Sequence, residues 1–157
     1  MGYRCDLGPD FRDMVALFLD EEVQFLIVGA HALAIHGVPR ATGDLDLFIA
    51  ANPENAGRTW RALTRFGVPL ADFKMQRQDF ETEGPVFQVG QPPNRIDVMT
   101  SISGVSFAEA WDARVVGKFE GRDVGFLSRE HLIRNKSTTG RNKDLGDLDM
   151  LGPPLED

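Results

Sequence analysis

The sequence predicts an α/β (α+β) fold in which a single domain builds a mixed β-sheet flanked by helices. Two observations carry this expectation. Short apolar runs alternate with longer segments whose apolar residues recur at helical spacing, the pattern of strands and helices sharing one sheet. No repeat, low-complexity tract or linker interrupts the 157 residues, a length that suits one domain with a real hydrophobic core.

Taken in order, Pro9-Asp10 opens a helix in which Phe11, Met14, Val15, Phe18 and Leu19 share one face. Phe25 to Val28 is a short buried strand that stops at Gly29, and Ala30 to Ile35 forms a small helix ended by Gly37 and Pro39. Asp44 to Ala50 is a second strand. Asn52 caps the next helix, Pro53 starts it, and Gly67 stops it just after Phe66. Residues 68–83 are polar and fit neither period. Val86 to Val89 and Ile96 to Ser101 are strands joined by the turn Gln91-Pro92-Pro93-Asn94. Ser106 and Glu109 form a capping box for a helix running to Ala113. Val115–Phe119 and Val124–Leu127 make a hairpin around Glu120-Gly121-Arg122-Asp123. Two helices, Ser128 to Lys136 and Asn142 to Leu151, close the chain, split by Thr138-Thr139-Gly140.

Composition narrows the function. The apolar fraction of 42% with 26% charged residues is that of an ordinary soluble domain. A net charge of −7 argues against coating nucleic acid over a broad face, but leaves room for a nucleotide or for RNA held by a local basic strip. One cysteine, Cys5, supplies neither an internal disulfide nor a thiolate metal cage, which fits a reducing cytoplasm. No secretory signal is expected, and the longest apolar stretch, Phe25 to Val38, is short for a membrane span and carries two histidines.

The chemistry centres on acids. On an extended segment Asp44, Asp46 and Phe48 share one face and Leu45, Leu47 and Ile49 the other; Asp97 likewise sits within the apolar run Arg95-Ile96-Asp97-Val98-Met99. Carboxylates on apolar strands are costly to bury unless a cation compensates them. Magnesium takes such oxygen ligands, and two ions about 3.5–4 Å apart can clamp both oxygens of a phosphoryl transfer. Taken alone, Asp44-Leu45-Asp46 is more often a pair of solvated acids where a loop becomes a strand. Upstream, Gly29 lets the chain turn tightly after a strand, with the amides of Ala30 and His31 open to an anion, or it is simply a packing glycine. Arg40 can fork onto a phosphate or pair with an acid. Arg129, Arg134, Lys136, Arg141 and Lys143 form a basic island in an acidic chain, suited to a triphosphate or merely a solvated helix surface. His31 and His36, five residues apart, do not share a helical face as a zinc pair would.

Several segments carry a family resemblance together. They are Phe25-Leu26-Ile27-Val28-Gly29-Ala30-His31-Ala32, His36-Gly37-Val38-Pro39-Arg40-Ala41-Thr42-Gly43-Asp44-Leu45-Asp46-Leu47, Arg95-Ile96-Asp97-Val98-Met99, and Lys136 with Gly140-Arg141-Asn142-Lys143-Asp144-Leu145-Gly146-Asp147-Leu148. In this order the chain resembles the nucleotidyltransferase superfamily, the fold of DNA polymerase β and kanamycin nucleotidyltransferase. It is most similar to the small bacterial branch that includes AbiEii-type toxins. The resemblance implies a single-domain nucleotidyltransferase fold in which Gly29 and Ala30 hold the triphosphate and Asp44, Asp46 and Asp97 hold two magnesium ions, for which manganese can substitute. It also implies that Arg40, Thr42, Lys136, Lys143 and Asp144 lie on the nucleotide side. The family usually has Gly-Gly or Gly-Ser where this chain has Gly29-Ala30, so Ala30 offers only its amide, and the chain has little room for the added helical domain with which larger members grip the acceptor.

The function expected on these grounds is metal-dependent transfer of a nucleoside monophosphate from a nucleoside triphosphate to an acceptor hydroxyl, on RNA, protein or a small molecule. Pyrophosphate leaves, and Asp97 helps take up the hydroxyl proton. The alternative is a non-catalytic nucleotide-binding or regulatory module of the same fold, working within a toxin–antitoxin pair, with RNA or a cognate toxin or antitoxin protein as partner and no membrane involved.

Overall fold

In the computed structural model the described residues are 9–38, 43–91 and 94–140, with the backbone of Tyr3–Arg4 and the helical positions Gly146, Leu148, Met150 and Leu151. The elements follow as β1 (Tyr3–Arg4), α1 (Pro9–Asp20), β2 (Phe25–Val28), α2 (Gly29–Ile35), β3 (Leu45–Ile49), α3 (Pro53–Phe66), β4 (Phe87–Val89), β5 (Ile96–Met99), α4 (Phe107–Asp112), β6 (Val115–Phe119), β7 (Arg122–Phe126) and α5 (Arg129–Thr139). One mixed sheet runs β1-β6-β7-β2-β3-β5-β4. Its centre is β2 antiparallel to β3 and β3 parallel to β5, with β2 also parallel to β7. The predicted mixed sheet flanked by helices is what forms.

Register decides which residues share a face, because side chains paired across strands project to the same side. Phe25 pairs with Ile49, Ile27 with Leu47, Leu45 with Ile96, and Leu47 with Val98. These all-apolar pairs make one face, covered in part by α1, where Phe18 meets Phe25 edge-on at 5.3 Å. Phe87 extends that face on β4 and packs edge-on against Phe73 and Phe80. The opposite face carries Val28 opposite Asp46, Asp46 beside Asp97, and Asp97 opposite Gln88. It turns apolar again further along β3, where Phe48 is buried and meets Phe107 of α4 edge-on at 5.1 Å. The acids therefore occupy one end of a face whose other end is closed by α4.

Local sequence accounts for most boundaries. Asn52 caps α3 by accepting from the Asn55 amide at 2.9 Å, Pro53 stands at its first position, and Gly67 ends it. Asn55 lashes this helix to the sheet: its side chain accepts from the Gln24 amide (2.7 Å) and donates to the carbonyls of Gln24 (3.1 Å) and Ala50 (2.9 Å). The capping box of α4 forms as expected, Ser106 accepting from the Glu109 amide and Glu109 from the Ser106 amide.

Some boundaries differ from the sequence reading. The ambiguous stretch 68–83 holds two single-turn 3₁₀ helices, Leu70–Phe73 and Arg77–Phe80, each anchored by one buried side chain, Leu70 and Phe80. The β6–β7 turn is tighter than expected. Glu120 (φ 48°) and Gly121 (φ 80°) alone make it, so Arg122 and Asp123 belong to the strand. Both positive φ values are those of a type I′ hairpin turn, which matches the twist of the flanking strands. Most of the expected last helix lies outside the described residues, although Leu151 is buried and Leu148 packs on the core. No helix among the described residues is long and apolar enough to cross a membrane.

Candidate functional site

The three acids singled out in the sequence come together at the starts of β3 and β5. Asp46 and Asp97 are lateral neighbours in the parallel ladder, and the Leu45 amide donates to the Arg95 carbonyl at 3.0 Å, which sets Asp44 beside Arg95 one step earlier. The result is a square, Asp44 just ahead of β3 with Asp46 on it, and Arg95 just ahead of β5 with Asp97 on it.

Arg95 binds the cluster together. Its Nε and Nη2 donate to the two oxygens of Asp97 at 2.8 and 3.1 Å, a two-point fork between residues two apart, with Arg95 just ahead of β5 and Asp97 within it. The same Nη2 lies 3.0 Å from Asp44 Oδ2. The hydrogen bonds to Asp97, reinforced by the charges of Asp97, Asp44 and Asp46, raise the guanidinium pKa above its already high ordinary value. Arg95 therefore stays charged. Asp97 is the deepest of the group, 10% exposed at its side chain, against 22% for Asp44 and 28% for Arg95. The sequence reading passed over Arg95; its position two residues before Asp97 on one strand face was the available signal. It also passed over Gln88, which is exposed and paired with Asp97 across β4–β5.

Gly29 joins this site by packing as much as by turning. Its φ of +67° is left-handed, and a Cβ placed on it would overlap Asp46 Oδ2 and lie 3.0 Å from Asp46 Cγ. The bare glycine thus lets the backbone between β2 and α2 press against the Asp46 carboxylate. Gly43 does the same one layer out: a Cβ there would sit 2.5 Å from the Ala30 Cβ. His31 follows, donating from Nε2 to the Gly43 carbonyl at 3.3 Å and meeting Phe11 edge-on. Burial pushes its pKa below the ordinary 6.5, with the Gly43 bond opposing. Gly29, Ala30 and the loop into Asp44 are in this way one packed unit with the acids.

The basic residues of α5 are arranged differently from a free cationic strip. Lys136 is buried in the last turn of α5, Arg134 pairs with Glu109 and lies 3.9 Å from Glu130, and Arg129 donates to the Leu151 carbonyl. The capping amide and side chain of Ser106 together with Arg134 hold Glu109 down to about 2. The helix nonetheless reaches the site's neighbourhood. It packs against α2, and His36 of the segment after α2 donates to the Leu127 carbonyl at 2.9 Å, just ahead of the Ser128 cap. Arg40, Thr42, Lys143 and Asp144, expected on the nucleotide side, lie outside the described residues, as does Arg141.

Whether these residues suit a divalent metal is a matter of donor chemistry. Three carboxylates provide hard oxygen donors of the kind magnesium and manganese take. A positive group already sits among them, the Arg95 guanidinium, standing where a cation would be attracted. Among the described residues no three acidic, histidine or cysteine side chains surround a common metal-binding point. Here the carboxylates converge on Arg95 instead. The three carboxylates match a divalent ion in ligand type, but as placed they do not surround a common point that would hold one. No family model matches the chain, and no curated protein matches it in sequence.

Proposed function

We propose that this protein is a metal-dependent nucleotidyltransferase that moves a nucleoside monophosphate from a nucleoside triphosphate to an acceptor hydroxyl. One observation carries the reading: Asp46 and Asp97 paired in register, with Asp44 beside them, pressed against the glycine corner at Gly29. A lateral pair of carboxylates repels itself, and a fold keeps such a pair where a cation is to be held.

In this reading Asp44, Asp46 and Asp97 hold the divalent ions, which would supply charge stabilisation to the phosphates and to the attacking and leaving oxygens. The acceptor oxygen bonds to the α-phosphorus, the bond from that phosphorus to the bridging oxygen breaks, and pyrophosphate leaves. Asp97 takes up the proton of the acceptor hydroxyl. Gly29 and Ala30 present backbone to the triphosphate, and Arg40, Thr42, Lys136, Lys143 and Asp144 serve the nucleotide side. RNA, a protein side chain or a small alcohol is the acceptor, and the reaction takes place in the cytoplasm.

A second reading is favoured by the guanidinium seated among the acids: a regulatory module of the same fold that transfers nothing and acts within a toxin–antitoxin pair. Label transfer separates the two. The protein is incubated with magnesium, labelled nucleoside triphosphates, and total cellular RNA and protein. Transfer of label, lost when Asp44→Asn and Asp46→Asn are combined, supports the enzyme. No transfer, or equal transfer by the double variant, overturns it.

A further inference from the structure

We propose that the outer side of α3, together with the 3₁₀ segment at 70–80, binds a single-stranded polynucleotide by its phosphates and by one stacked base. No carboxylate at the starts of β3 and β5 takes part, so binding here stands or falls apart from nucleotidyl transfer. Charge is unevenly spread along the chain. Residues 58–78 hold five bases (Arg58, Arg61, Arg65, Lys74 and Arg77) and one acid, Asp72, a net of +4 within a chain of net −7. An acidic protein that concentrates its cations in this way presents a local strip to a polyanion rather than a broad basic face.

The fold gathers these bases. Arg58, Arg61 and Arg65 fall at i, i+3 and i+7 and share one side of α3, while Ala56, Thr59 and Leu63 are buried on the other. Arg77 crosses onto the same stretch of helix. A Cβ placed on Gly57 would lie 3.6 Å from Arg61 Nη1 and 3.9 Å from Arg77 Nη1, so two like charges stand over one point of α3. Glu54 pairs with Arg58 and Glu21 serves both Arg61 and Arg65, which leaves Lys74 and Arg77 with no ion pair among the described residues. Glu21 is recessed, 18% exposed, whereas Arg61 and Arg65 are more than half exposed above it. The cationic ends therefore face solvent, and arginine forks match phosphate oxygens at two points. The layer of α1, α3 and the turn Arg77–Phe80 covers the all-apolar face of the sheet, so the strip looks out on the side opposite the acids, which would repel a polyanion. One ring completes the surface. Phe73 is 53% exposed, held edge-on by Phe87 at 5.7 Å, and followed directly by Lys74. An aromatic ring left in solvent beside cations gives a base a face to stack on, which an acidic protein partner does not need.

The test is fluorescence anisotropy of short labelled oligouridine and oligothymidine, titrated with the full chain between about 50 and 200 mM salt. Either strand should bind, more tightly at low salt, and the tighter of the two names the source as RNA or DNA. Arg61→Gln combined with Arg77→Gln should weaken binding about tenfold or more at low salt. It should also flatten the plot of log affinity against log salt by about 1.4, since each phosphate contact on a single strand contributes about 0.7. Phe73→Leu should weaken binding about fivefold or more and leave the salt slope unchanged. Arg122→Gln, which removes an exposed arginine of β7, should bind as the wild type does, and so should Asp44→Asn combined with Asp46→Asn. No binding of either strand, equal binding by the double-arginine variant, or an equal loss in Arg122→Gln overturns the proposal. Loss in the aspartate variant would put the strand on the carboxylate face and overturns it too. A polyglutamate peptide that binds as tightly as the oligonucleotides identifies an acidic protein as the partner and likewise overturns it. Should the double-arginine variant fail to fold, Phe73→Leu combined with Lys74→Gln takes its place, with the same loss expected and unchanged binding overturning the proposal.

Discussion

Replacing Gly29 by alanine tests how the glycine corner and the acids are joined. Two costs add. At φ +67° a residue bearing a Cβ occupies the left-handed region, which costs about 1–2 kcal/mol. The new methyl would also overlap Asp46 Oδ2 and crowd Asp46 Cγ at 3.0 Å, so the carboxylate must move; overpacking of this kind costs about 1–3 kcal/mol. The sum is roughly 3 kcal/mol, or a fall of roughly 6–12 °C in melting temperature for a domain of this size. The two terms separate in a double-mutant cycle. With Asp46→Ala in place the carboxylate is gone, and Gly29→Ala should then cost only the backbone term, leaving a coupling of about 1–3 kcal/mol. Urea unfolding of the four proteins measures it. Equal losses in both backgrounds would show that Gly29 is held only by its backbone angle and that its contact with Asp46 carries no energy.

Two further effects concern the scaffold around the site. Asn55→Ala leaves the Gln24 amide and the Gln24 and Ala50 carbonyls without the side chain that serves them, at a cost of about 2–4 kcal/mol in urea unfolding; a loss below about 1 kcal/mol would contradict this role. Acid should weaken the fold in two windows. The folded state resists protonating His31, so stability falls as pH drops below 6.5, and His31→Gln should flatten the pH dependence of the unfolding midpoint below 6.5. Glu109, held at about 2 against an ordinary 4.5, contributes stability that is complete above 4.5 and lost as pH falls towards 2, a slope that Glu109→Gln should remove. Unchanged profiles in these variants would refute the assignments.

Much of the scaffold could be read from local signals because those signals act locally. The Phe11, Met14, Val15 and Phe18 stripe gives α1, Asn52-Pro53 and Gly67 bracket α3, and Ser106 with Glu109 caps α4. What escaped depended on partners distant in the chain. Tyr3–Arg4 is too short to show a period and is a strand only because β6 lies alongside. The turn at Glu120-Gly121 lacks the Asn-Gly signature, so its two-residue length was hidden. Asp44, Asp46 and Asp97 were legible as acids on strand faces, yet only the β3–β5 register makes them neighbours. At α5 charge and spacing cannot tell a solvated lysine from Lys136, which is buried.

Crowding and burial distinguish the square from the other ion pairs among the described residues. Glu21 meets Arg61 and Arg65, Asp20 meets Arg122, and Asp123 meets Lys118, each acid with at least one base of its own on an open surface. Such pairs contribute little to stability and need no explanation beyond it. At the starts of β3 and β5, three acids gather around Arg95, and Asp97 is drawn nearly out of solvent. Drawing a carboxylate out of solvent raises the free energy of the folded chain unless it is paired and hydrogen-bonded, and the two-point fork from Arg95 does this for Asp97. Gly29 sharpens the point, because the backbone gives up a side chain there to make room for Asp46. A fold concerned with stability alone could relieve the strain by replacing Asp46 with a neutral residue. In the proposed nucleotidyltransferase reading, Asp46 is kept and space is cleared for it because it holds a cation.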